Sequence, residues 1–160
     1  MFTGSLVLFI SSFQILISTS IPVINKIFGS SLAPPSDAIS HYNSWQIPFA
    51  ILVLLFMSFS QFLKYKKAGF QPFFKAIFRS LIGSLVVAFA VGLLLKMKNP
   101  FELFLLFTGV FAVLGNLDYW LSILKGKIRH AGASVSHIGF GIMMVGALIS
   151  MSQQTNISNN

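Results

Sequence analysis

The sequence predicts an all-α fold, a polytopic transmembrane helix bundle of about five spans with its amino terminus inside, and three observations predict it. Apolar residues fill 55% of the 160 positions and charged ones only 9%, where an ordinary soluble domain carries roughly 25% charge. Mean hydropathy is +0.82. The apolar residues gather into five runs, 6–24, 47–63, 80–95, 101–124 and 131–151, each close to the roughly 20 residues that cross a bilayer as a helix. Together they predict one membrane domain over 1–160, with a polar tail at 152–160.

The first run carries no Lys or Arg before Lys26, so it lacks the basic start of a signal peptide and reads as a retained helix that Pro22 kinks or ends. Ala33-Pro34-Pro35-Ser36-Asp37 cannot continue a helix, and the loop it opens is expected to run through His41, Tyr42 and Asn43 to Trp45, with His41 in solvent. The second run, 47–63, has no charge. Lys64, Lys66, Lys67, Lys75 and Arg79, interleaved with Phe70, Phe73, Phe74 and Phe78, then form a basic segment expected to lie at the membrane surface. In the third run Gly83, Ala88 and Gly92 allow close helix approach, and Lys96-Met97-Lys98-Asn99-Pro100 makes a turn. The fourth contains Asn116 and Asp118, the latter expected to pair with Lys125 or Arg129. The fifth follows Arg129 and His130.

Charge placement sets the orientation. With the amino terminus inside, the connections after the second and fourth runs hold eight of the 11 Lys and Arg residues, as the positive-inside rule requires. The net charge of +8 is therefore read as topology, and a nucleic-acid partner is rejected. The absence of cysteine excludes disulfides, zinc–thiolate sites, iron–sulfur clusters and thiol redox chemistry by this chain. Asp37, Glu102 and Asp118 are its only acids, and it has neither a phosphate loop nor a nucleophile elbow, so hydrolase and kinase chemistry lack their residues.

His137 is the one titratable side chain between Ala131 and Met151, and an ionisable group inside hydrocarbon is a candidate functional residue. Eight residues past Arg129, it lies roughly 12 Å along a helix from the basic turn. Gly132, Ala133, Ser136, Gly139 and Gly141 around it are small and make room for a bulky group or for another helix. Three roles are open to it: a packed histidine bonded to a neighbouring helix, a haem or metal ligand, and a proton relay. The residues alone put packing ahead.

Three pieces occur in order along the chain: Ala33-Pro34-Pro35 ahead of Trp45-Gln46-Ile47-Pro48, then the Lys-rich connection, then Gly132-Ala133-Ser134-Val135-Ser136-His137-Ile138-Gly139-Phe140 with Gly146 following. From Ser18 to Ser152 this order resembles the carboxy-terminal membrane region of the CcmF-type cytochrome c biogenesis proteins, a haem-handling family that contains the haem lyase subunit. The last piece looks like the family's Gly-x-x-x-Ala-His-x-Gly signature, with Ser136 in place of Ala. The resemblance implies that His137 is one axial ligand of a haem b, with Ser136 and Gly139 beside it at the cofactor. It also implies a place in the bacterial inner membrane. The partners it implies are the remainder of the lyase or its other subunits, a haem chaperone and apocytochrome c, to whose thiols the family attaches haem.

The family's second ligand histidine, its Trp-rich haem loop and the flanking histidines lie earlier in a longer chain and have no counterpart in this sequence, where Trp45 and Trp120 are isolated. The chain is accordingly expected to be a fragment, a split-gene piece or a truncated product, holding haem b but inactive as a lyase alone. Two readings compete with this one: a non-enzymatic scaffold or transporter-like subunit in which His137 only packs, and a proton-coupled carrier using His137 and Asp118.

Overall fold

In the computed structural model, residues 2–63 and 70–153 are described, with side chains described for 3–60 and 77–153. Their regular structure is helical, with no strand among them. The helices are α1 (Phe2–Thr19), α2 (Ile21–Phe28), α3 (Ala38–Leu63), α4 (Phe70–Leu94), α5 (Pro100–Asp118) and α6 (Gly132–Ser152). Four stretches are long and apolar enough to cross a membrane: Ala38–Ser60, Ile77–Leu94, Pro100–Ile123 and Gly132–Ser152. The pair α1 and α2 makes a fifth if its two limbs form one crossing. The expected all-α bundle is the observed one. The polar tail at 152–160 falls mostly outside the described residues.

The helix boundaries show the expected break near Pro22 and differ from the expected ones at two further places. The first run divides at Ser20, where the axis bends by 61°. Pro22 is the cause, because it has no N–H and its ring would clash with the Ser18 carbonyl in a continuous helix. It sits instead in the first turn of α2, where a proline is tolerated, and Gly29 closes that helix at φ 64°. At the second place the loop ends earlier than expected. Asp37 accepts the Ser40 backbone N–H at 3.0 Å and starts α3 at Ala38, so His41, Tyr42, Asn43 and Trp45 lie on a helix. The basic segment differs as well, since α4 begins at Phe70 and carries Lys75 and Arg79. Lys64, Lys66 and Lys67 fall outside the described residues.

The chain forms two compact units that divide within α3, Met1–Val53 and Leu54–Asn160. In the first, α1 faces the start of α3 through a run of side-chain hydrogen bonds. Ser11 Oγ donates to Gln46 Oε1 at 2.6 Å, Gln46 Nε2 to Gln14 Oε1 at 2.8 Å, and Gln14 Nε2 to Ser18 Oγ at 3.2 Å. Ser18 Oγ lies 3.1 Å from His41 Nε2, so His41 is half-buried in this network and not a solvated loop residue. Ser11, Gln14 and Ser18, spaced by three and four, share one face of α1. Gln46→Leu would strip partners from Ser11 and Gln14 and is expected to loosen α1 by about 1 kcal/mol. Hydrogen exchange over 3–19 checks this, and unchanged exchange would contradict it.

In the second unit α5 is central, flanked by α4 and α6. Asn99 starts α5 by accepting the Phe101 N–H at 3.0 Å, with Pro100 in the first turn. Phe111, Leu106, Leu54 and Leu148 are fully buried, and Phe59 meets Phe111 edge to face with ring centres 5.5 Å apart. Buried hydroxyls bond to carbonyls of their own helices: Ser58 to Leu54 at 2.7 Å, Ser84 to Ser80 at 2.6 Å and Thr108 to Leu105 at 3.0 Å. Helices in lipid satisfy such groups internally because no water is available to them.

Candidate functional site

The polar centre of this unit lies between α5 and α6. Glycines bring the two helices together: a Cβ on Gly109 would stand 2.7 Å from Val145 Cγ2, and one on Gly141 would stand 3.1 Å from the Gly109 carbonyl oxygen. Closer to the connecting turn, Asn116, which is fully buried, faces His137, which is half-buried. Their separation is 3.2 Å between His137 Nδ1 and Asn116 Oδ1.

The amide of Asn116 fixes the tautomer of His137. Asn116 Nδ2 donates to the Ala112 carbonyl at 2.8 Å, so the atom turned to the imidazole is the oxygen, which only accepts. His137 Nδ1 therefore carries the proton, and in the neutral ring Nε2 carries the lone pair. A histidine whose Nδ1–H is held by a fixed acceptor is oriented as metal-ligating histidines are, with the opposite nitrogen as donor atom. Among the described residues no three His, Cys, Asp or Glu side chains come together, and His137 by itself would offer one imidazole. That suits one axial position of a haem iron and not a site built of protein ligands alone.

Ser136 and Gly139 are placed differently. At about 100° per residue they lie about 100° and 200° around α6 from His137. Both are exposed; Ser136 Oγ donates back to the Gly132 carbonyl at 2.9 Å, and nothing stands within 4 Å of a Cβ added at Gly139. His130 is exposed in a short 3-10 turn, Ile128–His130, before α6.

The end of α5 holds a π-helical turn and an ion pair to α4. Residues Tyr119–Ile123 form a π-helical turn, with the Leu124 N–H reaching the Tyr119 carbonyl at 3.1 Å. Lys125 and Gly126, at φ 51° and 70°, then end the segment. Such turns are rare and recur at functional sites. Asp118 pairs with Arg79 of α4, not with Lys125 or Arg129 as expected. Ser122 joins them, donating to Asp118 Oδ1 at 2.8 Å and accepting from Arg79 Nη2 at 2.9 Å. Four residues before Ser122, Asp118 is turned toward α4, and Arg79 supplies the charge that the basic turn was expected to give.

Trp120 lies inside the π turn. Among the described residues its Nε1 is the one buried side-chain nitrogen or oxygen with no hydrogen-bond partner. A buried N–H without an acceptor costs about 1–3 kcal/mol. Because Ala112 and Val113 face Gly141 and Asn116 faces His137, the antiparallel register sets Trp120 level with Ala133 and Ser134. That is about one helical turn nearer the basic turn than His137.

No protein-family model, curated protein or solved structure matches this chain. The class that the fold defines is a multi-pass α-helical membrane protein.

Proposed function

We propose that this chain is a membrane component of cytochrome c maturation that holds haem b for a haem lyase, with His137 as one axial ligand. The observation that carries the proposal is the hydrogen bond from His137 Nδ1–H to buried Asn116, which orients the imidazole and places the lone pair of the neutral ring on Nε2. The motif around His137 and its resemblance to the CcmF-type proteins support the choice of haem over other metal centres.

In this reading the chain's own residues position and insulate. Asn116 fixes the ring, the glycine contact between α5 and α6 fixes Asn116 against His137, and the apolar helices keep water from the imidazole. When bound, the haem supplies one-electron redox chemistry. The lyase remainder or its other subunits supply the second axial ligand, and apocytochrome c and a haem chaperone are the further partners. The membrane is the bacterial inner membrane, with the amino terminus inside and His137 in the inner half.

The same hydrogen bond also serves the competing scaffold reading, in which His137 only ties α6 to α5. The two separate on one experiment. Co-expressed with the rest of the lyase, the chain is expected to give a haem b spectrum that His137→Ala abolishes and His137→Gln does not restore, although glutamine can still bond Asn116. A wild-type haem spectrum in His137→Ala would sink the ligand assignment and leave packing.

A further inference from the structure

We propose that α2 does not cross the bilayer but lies along its surface at the carboxyl end of α1, with Val23, Ile27 and Phe28 seated where phospholipid headgroups meet acyl chains. The partner is a phospholipid surface, and the inference stands apart from the haem reading.

Three observations meet here, and the first is level. α1 and the start of α3 run antiparallel, because Ser11 bonds Gln46 whereas Ser18, further along α1, meets His41, earlier in α3. Ser18 and His41 therefore stand at one height. Ser20 lies two residues beyond Ser18 and Ala38 three residues beyond His41 in the same direction, so the bend at Ser20 and the start of the Ala38–Ser60 span agree in height to within about 1.5 Å. α1, with 18 residues and a length of about 27 Å, already covers most of the roughly 30 Å hydrocarbon core below that level. The membrane boundary set by the Ala38–Ser60 span thus falls where α2 begins.

The second observation is direction. The axis bends by 61° at Ser20. With α1 on the bilayer normal, the eight residues of α2, about 12 Å long, rise only about 6 Å. The ordinary tilt of a transmembrane helix, about 20°, is enough to bring α2 close to the membrane plane.

The third is the chemistry of its faces. At about 100° per residue Ile21, Val23, Ile24, Ile27 and Phe28 share one arc of α2, and Asn25 and Lys26 lie on the other. No residue of α2 is buried, and Val23, Ile27 and Phe28 are 57%, 69% and 77% exposed. The arc is aliphatic and aromatic with no small residue, which suits acyl chains better than the close approach of another membrane helix. Lys26 on the opposite side complements the lipid phosphates, the pattern of helices that lie in the interface. Asn25 keeps the exit there as well. Its Oδ1 accepts the Leu32 N–H at 3.0 Å and the Ser30 hydroxyl at 2.8 Å, and its Nδ2 donates to the Leu32 carbonyl at 2.8 Å, so the segment after Gly29 folds back onto α2.

The test uses the whole chain, which has no cysteine of its own, in vesicles of phosphatidylcholine with phosphatidylglycerol. Val23→Cys, Lys26→Cys, Ile27→Cys and, as a reference in the bilayer core, Phe9→Cys each carry a nitroxide label. Collisions of the label with oxygen and with a water-soluble nickel chelate report its depth. All four side chains are exposed, so the label displaces no packed neighbour. The labels at Val23 and Ile27 are expected at one shallow depth, about 5–10 Å into the headgroup and acyl boundary, with Phe9 far deeper and Lys26 open to the chelate. A depth that changes by about 6 Å between Val23 and Ile27, the full rise of four helical residues, would show that α2 crosses. A label at Ile27 closed to both reagents would show a protein partner, and one as open to the chelate as Lys26 would show a helix in water. Each of these three results would overturn the inference.

Discussion

Gly141→Leu is expected to unseat α6 from α5 and to cost about 3 kcal/mol or more, because the added side chain has nowhere to go. Its Cβ alone would stand 2.9 Å from Val113 Cγ2 and 3.1 Å from the Gly109 carbonyl oxygen. Val113 can rotate, but a backbone carbonyl in the middle of α5 cannot move without shifting the helix. Separating the helices also separates Asn116 from His137, so haem retention should fall with stability. Gly146→Leu is the control on the same helix, since nothing lies within 4 Å of a Cβ there. Detergent-titrated unfolding of the two variants reads the difference. Equal stability of Gly141→Leu and wild type would refute the close approach on which the site depends.

Asn116→Leu is expected to have the second-largest effect. Leucine preserves the volume but removes the acceptor of the His137 Nδ1–H and the donor to the Ala112 carbonyl. Loss of a buried hydrogen-bond partner costs about 1–3 kcal/mol, and loss of the group that orients a ligand histidine lowers metal affinity about 10- to 100-fold. The variant should fold, because the α5–α6 contact is made by glycines and aliphatic side chains one and two turns away. On the proposed function, haem b loaded onto it should leave about 10- to 100-fold faster than from wild type. Asn116→Asp retains an acceptor and should retain more haem than Asn116→Leu. If Asn116→Leu held haem as wild type does, His137 would need no orienting partner and the observation that carries the proposed function would lose its force.

The sequence made the bundle legible because each apolar run is long and uniform. The fourth and fifth runs match the stretch Pro100–Ile123 and α6 to within about a residue at each end. It misplaced the start of α3 because a Pro-Pro loop followed by polar residues looks like a longer loop, although Asp37 three residues before Ser40 is a helix-start signal. His41 moved from solvent into a network for the same reason. His137 stood out through its isolation among apolar residues, yet its partner did not. Asn116 is one polar residue in a span, and only the antiparallel register of α5 and α6 brings it opposite. The Arg79–Asp118 pair spans 39 positions, and the π turn has no periodicity that a sequence window detects. Both belong to tertiary contact, and so does the orphaned Trp120.

Axial ligation by His137 is the central claim, and chemical rescue tests it most directly. In His137→Gly, assembled with the lyase remainder and loaded with haem b, added imidazole can occupy the space of the missing ring. The expected result is loss of the low-spin six-coordinate haem spectrum in the variant and its return on addition of imidazole. A variant that shows the low-spin spectrum before imidazole is added would contradict the account, because the iron would then take its axial ligands from elsewhere.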